Sequence, residues 1–180
     1  MPQRWPKNRI NNSFLLLLVW LALLYLLFLT HCKINSSNNT SSTVKNSIDI
    51  YRIARSVCVE TINNYRKTEG KIPYTQWNKG EDCADQQAEY DSKPGGSPHA
   101  GWKKKICAPK GRAQNECPGW PAADVEKSLT NCLKVMWDEQ YTPSGEQGHY
   151  LTMSSTKYDS VACGFYKTEN GRLWMVQNFK

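Results

Sequence analysis

Two alternating runs meet at Asn170-Gly171, and that junction constrains the fold more than any other part of the chain. Val161, Cys163 and Phe165 alternate with Ala162, Gly164 and Tyr166, which is the period of a strand. Leu173, Met175 and Phe179 alternate with Trp174, Val176 and Asn178 in the same way. Asn-Gly between two such runs predicts a β-hairpin. Just upstream, Gly148-His149-Tyr150 opens a short amphipathic segment. A histidine is therefore presented beside a rigid sheet.

The other end of the chain has a different character. Residues 1–13 carry Arg4, Lys7 and Arg9 and no acid, and Phe14 to Leu29 is apolar without interruption. A basic start before an apolar run predicts a signal peptide or signal anchor over residues 1–32. The run would span about 24 Å as a helix, short of a bilayer core of about 30 Å unless Thr30 to Cys32 are drawn in. Leu29 stands three residues before Cys32, the pattern of a lipoprotein signal with Cys32 as the lipidated residue. His31 departs from that pattern. A cleaved signal, an uncleaved anchor through residues 14–32 and a lipidated Cys32 all put the rest of the chain outside the cytoplasm, membrane-anchored or secreted. Residues 33–47 are rich in Asn, Ser and Thr and read as a flexible tether. Residues 48–180 remain as the folded domain.

Cysteine usage agrees with export. Setting Cys32 aside leaves Cys58, Cys83, Cys107, Cys117, Cys132 and Cys163. An even set in an exported domain of this size predicts three disulfides, with many pairings open. The pairing expected here joins neighbours along the chain: Cys58–Cys83, Cys107–Cys117 and Cys132–Cys163. No two of the six stand two to four residues apart, so the spacing is wrong for a zinc finger. Oxidised cysteines also supply no thiol nucleophile.

Three of the 23 Lys and Arg residues lie before residue 33, leaving 20 against 16 acids and a net charge of +4 beyond it. That suits an anionic surface and is too mild for a nucleic-acid partner. The densest basic stretch, Lys103 to Lys105 with Lys110 and Arg112, reads as a solvated loop. Trp102, Trp120, Trp137 and Trp174 read as core.

Apolar residues at three- and four-residue spacing from Ile50 to Tyr65 predict a first helix over about 48–68, with Ser47 as its cap. A second helix is expected over about 80–91. Residues 100–120 read as irregular and disulfide-pinned. A third helix is expected over about 121–140, with Pro121 in its first turn. Three helices and a terminal antiparallel hairpin make an α+β domain.

Taken together, these motifs resemble the CAP superfamily of cysteine-rich secretory proteins, antigen 5 and pathogenesis-related-one proteins. Gly148-His149-Tyr150 followed by Val161-Ala162-Cys163-Gly164 carries the resemblance best. Met136-Trp137-Asp138-Glu139, Ala113-Gln114-Asn115, Pro98-His99-Ala100, and Asn63 with Arg66 support it. The resemblance implies an α-β-α sandwich, helices around a small antiparallel sheet, preceded here by an N-terminal hydrophobic helix. It also implies a ligand cleft, with His99 and His149 as its histidines and Glu139 as one acid. Gln114 stands where the family has its second acid, and an amide is neither a base nor a good cation ligand. The family's C-N-Y-x-P-x-G-N motif is missing as well.

Two imidazoles and a carboxylate are a reasonable zinc set with an open water position, so His99, Glu139 and His149 are the candidate metal ligands. Asn63, Asn115 and Arg66 read as structural hydrogen-bonders. No G-x-S-x-G, P-loop or dinucleotide fingerprint occurs. The function expected first is an extracytoplasmic binding module for lipid, another small ligand or a cell-envelope component. A zinc-dependent, peptidase-like hydrolase using the same cleft is the second reading. A structural envelope protein with a vestigial cleft is the third.

Overall fold

The computed structural model describes the backbone of residues 38–180 and the side chains of residues 51–180. The signal or anchor, the membrane run and Cys32 lie outside the described residues. Among those residues, no helix is long and apolar enough to cross a membrane.

Helix α1 (Asn38–Thr68) starts ahead of the expected position. No Pro or Gly interrupts residues 38–50, so Ser47 lies inside the helix rather than at its cap. Ala54, Cys58, Val59 and Ile62 are buried along one stripe, while Ile53 is 47% exposed and faces away from the core. A short strand β1 (Thr75–Gln76) and helix α2 (Glu81–Ser92) follow. Residues 100–120, expected to be irregular, form a short helix α3 (Ala100–Lys104) and a strand β2 (Ala113–Pro121). Pro121 closes that strand instead of opening a helix. Helix α4 (Val125–Asp138) begins later, where the Asp124 side chain accepts the Lys127 N–H. Helix α5 (Gly148–Met153) leads into the hairpin of β3 (Ser160–Lys167) and β4 (Arg172–Phe179), with Gly171 at φ +76° in the turn.

The sheet order is β1-β3-β4-β2. It is antiparallel except where β1 runs parallel to β3 for two residues. Within the compact unit Ile48–Lys180, the strand period sorts side chains onto two faces. Cys117, Val161, Phe165, Leu173, Met175 and Phe179 join α1 and α4 in the main core. Each large aliphatic or aromatic side chain fully buried there contributes about 1.5–3 kcal/mol. On the other face, Val176 meets Ala84 and Ala88 of α2. The result is an α+β, three-layer arrangement.

The second face is packed closely. A Cβ built on Gly164 of β3 would lie 2.2 Å from the carbonyl carbon of Ala84. Helix α2 thus rests on β3 backbone to backbone, a contact only glycine permits.

The six cysteines do form three disulfides, but with the pairing shifted by one cysteine from the expected set. The pairs are Cys58–Cys163, Cys83–Cys107 and Cys117–Cys132. Each bridge joins different elements: α1 to β3, α2 to the loop after α3, and β2 to α4. The expected pairing failed because the first and last cysteines meet: the hairpin brings Cys163 of β3 against Cys58 of α1, which leaves Cys83 to Cys107 and Cys117 to Cys132. The first closes a loop of 105 residues, which constrains the unfolded chain by about 4–5 kcal/mol.

Arg66 is 2% exposed and ties the helices to the loops. Its guanidinium donates to the carbonyls of Ile72, Met153 and Ser155 and lies 3.6 Å from the Tyr74 ring centroid. The Asn63 amide brackets the Tyr74 backbone through both N–H and C=O. Asn63 and Arg66 are thus architectural.

Candidate functional site

The four cleft residues expected from sequence come together as two pairs. His149 stands in the first turn of α5, where backbone N–H groups lack helical partners. Glu139, in the turn just after α4, supplies the acceptor from outside. Its Oε2 accepts the His149 N–H at 2.8 Å and its Oε1 the ring Nδ1 at 2.5 Å. One carboxylate therefore caps the helix and orients the imidazole. Asn115 of β2 donates to the His149 carbonyl at 3.0 Å, fixing α5 to the sheet. Trp137 packs edge-on against Tyr150 and flat against Tyr65, so this tryptophan is core.

His99 precedes α3 with φ +66°, a left-handed conformation rare outside glycine. Its Nδ1 lies 2.7 Å from Gln114 Oε1. The Gln114 amide nitrogen donates to Gln87 Oε1 at 2.9 Å and to Asn178 Oδ1 at 3.1 Å. Asn178 in turn donates to Gln87 Oε1 at 2.7 Å. With its nitrogen spent on these two acceptors, Gln114 can only accept from His99. Gln114 is thus more than a lost acid: a carboxylate there would face two acceptor oxygens.

In both histidines Nδ1 faces an acceptor, so a neutral ring carries its proton there. Nε2 is left as a lone-pair acceptor. The side chains of His99 and His149 are 29% and 36% exposed.

Behind His99 lies a feature that sequence reasoning missed. Asp91 of α2 and Glu116 of β2 are 0% and 3% exposed. Asp91 Oδ1 accepts the Gly101 N–H and Glu116 Oε2 the His99 N–H, each at 2.6 Å. Asp91 Oδ2 and Glu116 Oε1 have no other buried partner. A proton on one of the two acids would let them satisfy one another. Burial, followed by repulsion from Asp91, pushes the Glu116 carboxyl up to about 8, against the backbone N–H of His99, which opposes it. Burial also raises Asp91. Together the two acids grip the backbone at residues 99 and 101 and hold the left-handed turn, which costs roughly 1 kcal/mol or more. The period of two offered a signal: Glu116 shares its strand face with Gln114.

The zinc set does not assemble. Among the described residues no group of three His, Cys, Asp or Glu side chains is gathered to hold a metal ion. The two histidines stand in separate pairs, Nδ1 of each bonded to Glu139 or Gln114. His99, Glu139 and His149 therefore do not fit a three-ligand centre.

A family model described as the cysteine-rich secretory protein family, CAP, matches residues 59–179. No curated protein matches the chain in sequence. Among solved structures, the venom allergen-like protein 4 of Schistosoma mansoni is similar at 19% identity. That match covers 71% of this chain and 89% of the other, with a TM-score of 0.46.

Proposed function

The chain belongs to the cysteine-rich secretory protein (CAP) family, and from that premise we propose that it is an exported binding module rather than a hydrolase. The observation that carries this reading is the state of the two imidazoles. Each is held through Nδ1 by a fixed acceptor, which leaves its Nε2 for a ligand. Fixed acceptors of this kind suit a ligand that donates hydrogen bonds, such as the hydroxyl of a lipid or another small polar molecule. Hydrolysis would need an activated nucleophile. The six cysteines of the folded domain are oxidised, and among the described residues His99, Glu139 and His149 are not gathered for a metal. Three disulfides suit an oxidising, extracytoplasmic compartment. The apolar run 14–29 and Cys32 would hold the module at a membrane.

Lipids co-purifying with the full chain would be identified by mass spectrometry, then re-added in a thermal-shift assay. A ligand that stabilises wild type should lose most of its shift in His99→Ala and in His149→Ala. Stoichiometric zinc in the purified protein, lost in His149→Ala, would reinstate the hydrolase. A lipid shift unchanged in both variants would remove the cleft from the account.

A further inference from the structure

We propose that the chain carries a second site, for an acidic polysaccharide, in an open groove at the end of the sheet where β2 and β3 begin and β4 finishes. This site does not rest on the histidine reading. The groove has a volume of about 500 Å³. Lys79, Lys110, Arg112 and Lys180 line it, with Asp159 as the single acidic side chain and Trp77 as an aromatic wall. A second hollow of about 270 Å³, lined by Trp102, Lys103 and Arg112 and reaching His99, shares Arg112 with the first. Lys103, Lys110 and Arg112 of the stretch that reads in sequence as a solvated loop thus line these hollows, and Trp102 is a wall of one of them instead of core.

Lys110, Arg112 and Lys180 are held by aromatic faces rather than by carboxylates. Lys110 Nζ lies 3.5 Å from the Trp102 ring centroid and Lys180 Nζ 5.4 Å from that of Trp77. The Arg112 guanidinium lies 5.4 Å from the Tyr158 ring centroid and donates to the Lys157 carbonyl. Among the described residues, the ion pairs engage Arg55, Lys71, Lys93, Lys134 and the two histidines instead. A ring face positions an ammonium without cancelling its charge. The groove therefore keeps its positive potential for a ligand. Its rim is fixed: the Arg112 N–H bonds the Phe179 carbonyl at 2.7 Å, the Lys180 N–H bonds that of Ser160 at 3.0 Å, and Cys83–Cys107 ties the loop to α2.

The shape selects among anionic ligands. Charge spread along two open hollows that share Arg112 fits an extended chain better than one compact headgroup. Acidic sugars alternate anionic groups with apolar ring faces, matching lysines interleaved with indoles. An anionic membrane would also use exposed apolar side chains. The large ones, Ile53, Ile72, Val135, Tyr141 and Leu151, all lie outside the groove lining.

The test uses the full chain in phosphatidylcholine nanodiscs, titrated with a heparin-derived octasaccharide and read by calorimetry. Saturable binding is expected, weakening linearly in log salt. Lys110→Glu/Lys180→Glu should weaken it about tenfold or more. Lys93→Glu/Lys134→Glu, which makes the same charge change just past the end of α2 and on α4, should stay within about twofold. Lys79→Glu alone, at an exposed position, should weaken it in the same direction and guards against a folding defect in the double variant. Absence of saturable binding would overturn the proposal, as would equal losses in both double variants. So would inorganic sulfate competing at equal anion concentration, or groove-dependent sedimentation with phosphatidylserine vesicles while the octasaccharide fails to bind.

Discussion

The two histidines of the candidate site occupy similar chemical positions and are supported by opposite means. His149 is held by a partly buried carboxylate, 19% exposed, that doubles as a helix cap. His99 is held by an amide network and a buried acid pair. One support is local and wet, made between α5 and the turn just after α4. The other is non-local and dry, drawing on α2, β2 and β4. The comparison teaches that a side chain's exposure says little about the cost of disturbing it. What matters is the dielectric around its partners.

Variants that attack the dry support should show the largest effects. Asp91→Ala leaves the Gly101 N–H and a buried carboxyl without partners, and should destabilise the protein by about 3 kcal/mol in urea unfolding. The acid pair also gives stability a pH dependence of defined sign. The Glu116 carboxyl titrates near 8 in the folded protein against an ordinary value of 4.5. Between those values the folded protein keeps a proton that the unfolded chain has released. This stabilising contribution is full below about 4.5 and disappears as pH rises through about 8. Glu116→Gln should flatten the difference between unfolding curves at about pH 5 and about pH 9. If the slope survives that change, the acid pair is not its source.

Gln114→Glu tests the amide network. Facing the oxygens of Gln87 and Asn178, the new carboxylate should cost about 1–3 kcal/mol, measured by the same unfolding at neutral pH. The wet support should respond least. Glu139→Gln keeps the size and one acceptor, and should lose only about 1 kcal/mol, seen in thermal denaturation. A larger loss at Glu139 than at Asp91 would reverse the comparison.

Features set by local chemistry were legible in the sequence. The hairpin followed from alternation and Asn170-Gly171, and the buried face of α4 from Leu129, Leu133 and Met136. The histidine–acid pair of α5 was reached through the resemblance carried by Gly148-His149-Tyr150 and Glu139. Strand β2 was not legible, for a physical reason. Its face toward α2 carries Gln114 and Glu116, polar groups satisfied by Gln87, Asp91 and Asn178 from other elements. No apolar alternation marks such a strand. The disulfide pairing was hidden for the same reason, because each bridge joins elements that only the fold brings together. The groove cations escaped too: Lys79, Lys110, Arg112 and Lys180 are scattered in sequence and meet only when β2, β3 and β4 share an end.

One missing methyl group governs more than its own neighbourhood. Because α2 lies directly on the β3 backbone at Gly164, any side chain there acts as a wedge under the helix. Gln87 and Asp91 ride on that helix, so lifting it would loosen the seat of His99 without touching the imidazole. The precision of one half of the candidate site is thus set by an empty position on a strand that contributes no group to it.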